Sequence, residues 1–154
     1  MPRRPPRPLL LASEITVGEH HDLGEHPLDS DEVVAFASRW DPLPMHLDQV
    51  VARASIFGGL AASGMHTLAI LQRLSVQGVY RDWRLLAGRR LSDTRFVAPA
   101  FAGTTLGGTL VVESVRERGP GRPAVVTNHS RLTCDGATLL DLRVEVLVAT
   151  EPPR

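Results

Sequence analysis

An α+β fold, with an antiparallel sheet wrapped around one long buried central helix, is what the sequence predicts, and three observations carry the prediction. Between Asp29 and Trp40, apolar residues recur with the helical period. Between Leu60 and Gly78, a second stretch is apolar on nearly every side. From about Arg84 onward the period changes to two, the pattern of strands with one dry and one wet face. A helix apolar all round needs enclosure and a one-faced sheet needs covering, so each meets the other's need.

The elements follow in order. The opening MPRRPPRPLLLAS is basic and proline-rich, and its apolar run is shorter than the roughly 7 to 15 residues of a signal-peptide core. Residues 1–13 therefore read as a flexible tail, 14–150 as one domain, and 151–154 as a second, short tail. EITVGEHHDLGEH reads as turns and a short strand. In LDSDEVVAFASRW, Asp29 and Glu32 have the spacing of a capping box, and Val33, Phe36, Ala37 and Trp40 fall on one helical face. That helix must end where Pro42 and Pro44 begin.

DQVVARAS is at most a short helix, and Gly58 and Gly59 separate it from LAASGMHTLAILQRLSVQG. There Met65, Leu68, Ala69, Ile70, Leu71, Leu74 and Val76 leave a narrow polar stripe through His66, Arg73 and Gln77, which predicts a buried helix. GRRLSDTRFVAPAF and TLGGTLVVESV supply strands, and RERGPGRP is the next turn. Asp135-Gly136 marks a two-residue hairpin joining AVVTNHSRLT to TLLDLRVEVLV. In the last strand Leu140, Leu142, Val144, Val146 and Val148 share one face, while Asp141, Arg143 and Glu145 share the other.

Composition narrows the function. The length of 154 residues suits one domain. Seventeen basic residues balance seventeen acidic ones, so charge gives no footprint for nucleic acid or an anionic membrane as partner. No stretch approaches the roughly 20 apolar residues of a membrane helix. The single cysteine, Cys134, excludes an internal disulfide framework, and a cytoplasmic location is expected. The cluster His20, His21, Asp22, Glu25 and His26 lacks clean metal-ligand spacing and reads as solvated loop, so no metal is expected. Arg81, Arg84, Arg89 and Arg90 suit phosphate groups chemically, although a solvated face accounts for most of such a group.

The stretch WDPLPMHLD places Asp41 and His46 at either end of a loop stiffened by two prolines. A regular helix is forbidden there, so something else holds the two side chains near one another. An ionised aspartate and a neutral histidine are suitable acid/base partners near neutral pH, and a stiff loop lowers the entropy cost of aiming both at one point. On spacing alone, a turn aspartate and a surface histidine remain the commoner reading. Ser63 reads as a helix cap.

FASRWDPLPMHLDQVVARASIFGGLAASGMHTLAILQRL resembles the signature of the MaoC-like dehydratases, which include the (R)-specific enoyl-CoA hydratases. The resemblance rests on Asp41, Pro44 and His46 in D-x-x-P-x-H, then Phe57-Gly58-Gly59, Ala62-Ser63-Gly64 and His66-Thr67, and it continues through LSDTRFVAPAFAGTTL. It implies a hotdog fold, with Asp41 and His46 as the catalytic pair on one water and the Gly64 N–H as the oxyanion donor. Ser63, His66, Pro44, Phe57 and Gly59 are implied as pocket residues. The implied reaction interconverts trans-2-enoyl-CoA and (3R)-3-hydroxyacyl-CoA without a cofactor, the acyl group arriving on CoA or a carrier protein.

Two positions depart from the family pattern. Leu43 stands where many members carry Asn or Gln, and Thr104 stands where an aspartate commonly follows the glycine. The first removes a polar group beside the catalytic loop. Two other readings stay open: a hotdog thioesterase, and a non-catalytic subunit that binds acyl thioesters. An exposed sheet edge in such a fold implies a homodimer or a higher homo-oligomer.

Overall fold

The computed structural model describes residues 7–153. In order, the chain forms β1 (His20–Leu28), α1 (Ser30–Trp40), α2 (Gln49–Ala54), α3 (Gly64–Gly78), β2 (Leu85–Phe96), β3 (Thr104–Arg116), β4 (Ala124–Cys134) and β5 (Ala137–Val148). The five strands make one antiparallel sheet in the order β1-β3-β4-β5-β2. Ile70, Leu71 and Leu74 of α3 pack with Leu106, Leu110, Val126, Leu132, Leu140 and Leu142 of the sheet in one buried cluster. This is the α+β arrangement expected from the change of period, and the hotdog fold that the resemblance implies.

Local chemistry sets the element ends. Asp29 caps α1 by accepting from the Glu32 N–H at 2.8 Å. The reciprocal half of the expected capping box does not form, because the Glu32 side chain is engaged elsewhere. Between β4 and β5, Cys134 pairs with Ala137 across Asp135 (φ 48°) and Gly136 (φ 79°), the left-handed pair that matches the twist of a tight hairpin.

Four expectations need correction. The tail does not extend to Ser13: Leu10 bridges to Trp83, Ala12 is 1% exposed, and the Ala12 N–H donates to the Ala149 carbonyl at 2.9 Å. The first six residues of the expected tail lie outside the described residues, as does Arg154 of the C-terminal one. Helix α3 is enclosed on one side only, because it packs on β1, β3 and β4, leaving Met65 (51% exposed) and Val76 (42%) open. His66, assigned to its polar stripe, is instead 3% exposed. Trp40 closes α1 beyond the reach of the core and is 68% exposed.

Candidate active site

Helix α1 ends at Asp41, whose N–H donates to the Ala37 carbonyl at 2.9 Å. Pro42 follows and cannot continue the helix. Pro44 then opens a single 3₁₀ turn, Pro44–His46, where its missing N–H costs nothing and its fixed φ fits. The His46 N–H closes the loop by donating to the Leu43 carbonyl at 2.9 Å. The result brings His46 Nε2 to 3.9 Å from Asp41 Oδ2.

Both side chains are held from behind. His46 is 4% exposed, and its Nδ1 lies 2.8 Å from the Ala61 carbonyl. A carbonyl only accepts, so the network assigns the proton to Nδ1 and leaves the Nε2 lone pair facing Asp41. Asp41 Oδ2 accepts from the Ser63 hydroxyl at 2.6 Å. The Ser63 oxygen also accepts from the Met65 N–H at 3.2 Å, so the expected cap of α3 is at the same time a support for the carboxylate.

Gly64 is the first residue of α3. Helix geometry gives its N–H no partner inside the helix, and no acceptor reaches it among the described residues. A side chain here would have to displace the Phe96 ring: a Cβ on Gly64 would lie 2.8 Å from Phe96 Cε1.

These groups share a cleft of about 410 Å³ lined by Asp41, Leu43, His46, Phe57, Gly64 and Phe96, among others. Met45, Ala62, Thr67 and the segment Val97 to Ala100 complete its largely apolar wall. Two acceptors 3.9 Å apart suit one water. An oxygen about 2.8 Å from each would donate to both at an angle of roughly 90°, close to the spread of its own two O–H bonds.

Of the other expected pocket residues, the structure brings Phe57 alone to the cleft wall. Ser63 stands behind Asp41. Pro44 shapes the loop without lining the cleft. Gly59 sits against the Phe101 ring, where a Cβ would lie 3.5 Å away, in a separate shallow cleft. His66 turns away from the cleft and donates from Nε2 to Glu32 Oε1 at 3.0 Å. Thr104 bonds the Phe101 carbonyl at 2.7 Å. Arg89 is engaged by Glu145, while Arg90 lines a shallow cleft beside β2.

Three contributors escaped the sequence reading. The Ala61 carbonyl has no side-chain signature and is aimed at His46 by the pairing of Ala61 with Phe101. Thr67 donates its hydroxyl to the Gly64 carbonyl at 2.6 Å, and the Val97–Ala100 wall is apolar, although VAPA after a strand is a signal of a chain turning back. Among the described residues, no group of three or more His, Cys, Asp or Glu side chains is arranged to hold a metal ion. No helix among them is long and apolar enough to cross a membrane.

Comparisons with known proteins bear on this arrangement. The profile of a family described as MaoC-like domain matches residues 12–133. The chain is similar to the uncharacterized protein YdeM of Bacillus subtilis, with 33% identity over 89 residues, 57% of this chain and 62% of that protein. The matched segment thus spans less than two thirds of that relative. The crystal structure of a MaoC-like dehydratase from Rhodospirillum rubrum superposes with a TM-score of 0.81 at 32% identity, over 94% of this chain and 99% of that one. An (R)-hydratase from A. caviae involved in PHA biosynthesis shares the fold, with a TM-score of 0.72 at 24% identity over 86% of this chain and 96% of that one. The Asp41–His46 loop and the open helix start both lie within the matched residues, and the chain belongs to the MaoC-like dehydratase family.

Proposed function

We propose that the protein is a hydratase/dehydratase, a carbon–oxygen lyase that interconverts a trans-2-enoyl thioester and its (3R)-3-hydroxyacyl counterpart, with CoA or a carrier protein as the thiol. The observation that carries this reading is the pair of acceptors, Asp41 Oδ2 and His46 Nε2, 3.9 Å apart at the wall of a cleft that also contains the Gly64 N–H. In hydration, the water donates to both acceptors while its oxygen bonds to C3. One water proton passes to the pair as that bond forms, and the pair returns a proton at C2. The charge that develops on the thioester oxygen meets the Gly64 N–H at the positive end of α3. Loss of one such donor typically raises the barrier by about 3 to 4 kcal/mol.

The residues supply the acid, the base and the electrophilic support, so the reaction as written calls on no cofactor. Leu43, 48% exposed at the cleft, gives an apolar edge where many relatives offer an amide. A homodimer is part of the reading. Strand β2 has a neighbour on one side only and exposes Leu86 (55%), Leu91 (57%) and Phe96 (51%). An apolar groove runs beside it between α3 and β5, lined by Leu68, Leu71, Leu91, Leu142 and Val144. A second copy, related by a twofold axis, covers that surface on both protomers at once.

The test is turnover of crotonyl-CoA and of a longer enoyl-CoA, following loss of the conjugated alkene together with release of free thiol. Hydration consumes the alkene without releasing thiol and is crippled by Asp41→Asn and His46→Ala. Thiol release would make the enzyme a thioesterase instead. Binding without either change would make the chain a non-catalytic subunit.

A further inference from the structure

Helices α1 and α3 meet at the candidate site, α1 delivering Asp41 and α3 delivering Gly64. At the site itself one side-chain bond joins them, from Ser63 to Asp41. A single bond fixes one distance and leaves the tilt of α1 about its far end unset. A second set of contacts lies at the other end of α1, about 13.5 Å from Asp41 at 1.5 Å of rise per residue. There Glu32 accepts from His66 Nε2 at 3.0 Å and from His26 Nε2 at 2.9 and 3.0 Å. Phe36, one turn further along α1, lies flat on the His66 ring at 4.4 Å and 4°.

None of these four side chains lines the cleft. Their chemistry is nevertheless costly for packing alone. His66 is 3% exposed, and its Nδ1 has no hydrogen-bond partner among the described residues. An aliphatic residue would fill the same space without an orphaned polar atom. What a histidine adds is a directional bond: the carboxylate only accepts, so Nε2 must carry the proton, and the ring is fixed in tautomer and orientation.

We propose that Glu32 and His66 are positioning residues, forming with Phe36 a brace that sets the tilt of α1 against α3 and so places the Asp41 carboxylate relative to the Gly64 N–H. His26 fixes the same carboxylate to β1, the strand on which α3 packs. The lever is steep. Over about 13.5 Å, a tilt of roughly 4° displaces Asp41 by about 1 Å, and displacements of that size cost up to about a hundredfold in rate. The proposal rests on the hydratase reading of Asp41.

The test uses the full chain and crotonyl-CoA, with thermal melting recorded for every variant. Glu32→Met and His66→Leu remove the brace and keep the volume. Each is expected to lower kcat by about tenfold or more while KM stays within about threefold, the split produced by misplacement of a reacting group. His66→Gln, whose amide nitrogen falls near Nε2, is expected to recover most of the lost kcat. His66→Asn, whose amide falls near Nδ1, is not. Folded Glu32→Met and His66→Leu proteins with kcat within about twofold of wild type would overturn the brace, provided Asp41→Asn is inactive. Full activity in Asp41→Asn would instead overturn the role given to Asp41, on which the brace rests, and absence of hydration by the wild type would overturn the hydratase reading. If the apolar variants melt below the assay temperature, equal kcat in His66→Gln and His66→Asn overturns the proposal, and a gap in favour of Gln sustains it.

Discussion

Raising the pH should destabilise this protein through one identifiable group. Tyr80 is 5% exposed, beside the end of α3, and accepts a hydrogen bond from Asn128 Nδ2 at 3.2 Å. Burial pushes its phenol up from 10.0 to about 12, against a smaller downward pull from Asn128. The neutral form is therefore the one the fold accommodates. Its contribution to stability is complete below pH 10, the unfolded value, and is lost as pH rises through the folded value of about 12. Two units at 1.36 kcal/mol each amount to about 2.7 kcal/mol, a large share of the roughly 5 to 15 kcal/mol that holds a domain together.

The composition makes the effect readable. The chain has one tyrosine and no lysine, so tyrosinate absorbance reports Tyr80 alone, and no amine side chain titrates in the same window. Urea melts at a series of pH values should show a decline of about 1.4 kcal/mol per unit between roughly pH 10 and 12. Tyr80→Phe should be less stable at neutral pH and flat across that window. The reasoning fails if the folded protein ionises its tyrosine near 10, or if wild type and Tyr80→Phe decline in parallel.

Other outcomes follow from the site and its surroundings. Ser63→Ala removes both the cap of α3 and the bond to Asp41; stability should fall by about 1 to 2 kcal/mol and kcat by at least about tenfold, with Ser63→Thr restoring much of both. An unchanged kcat would show that Asp41 keeps its place unaided. Gly64→Ala drives a methyl group into the Phe96 ring and should cost about 1 to 3 kcal/mol, recovered when Phe96→Ala is added. A denaturant double-mutant cycle measures that coupling. Leu91→Arg places a charge on the exposed face of β2 and should shift the sedimentation coefficient from dimer towards monomer.

The elements whose apolar pattern is their own were legible in the sequence. The face of α1, the helix α3 and the β4–β5 hairpin all follow from local period and turn chemistry. Strand β1 was only half visible: Leu23 and Leu28 are its two buried residues, and the irregularity between Asp22 and Gly24 breaks the alternation. The openness of α3 was not visible at all, because period measures what a helix face would bury and not how far the sheet reaches round it. In the site, the Asp41–His46 loop was legible from its prolines. The orientation of His66 was not, since its partners Glu32 and Phe36 come from a different helix. Gly59 was placed in the pocket by the family resemblance, but its backbone faces Phe101.

The Ser63 hydroxyl has one proton and spends it on Asp41, while its oxygen receives the Met65 N–H. A single atom thus belongs to two tasks that natural variation would otherwise tune separately. An apolar residue at this position loses cap and carboxylate support together, whereas asparagine or aspartate would keep a cap and give up the hydroxyl donor. Of the common side chains, threonine alone keeps a hydroxyl on the same carbon. A change at 63 therefore reaches the helix start and the carboxylate at once, whereas Leu43 and Phe57, which only line the cleft, can change without that double effect.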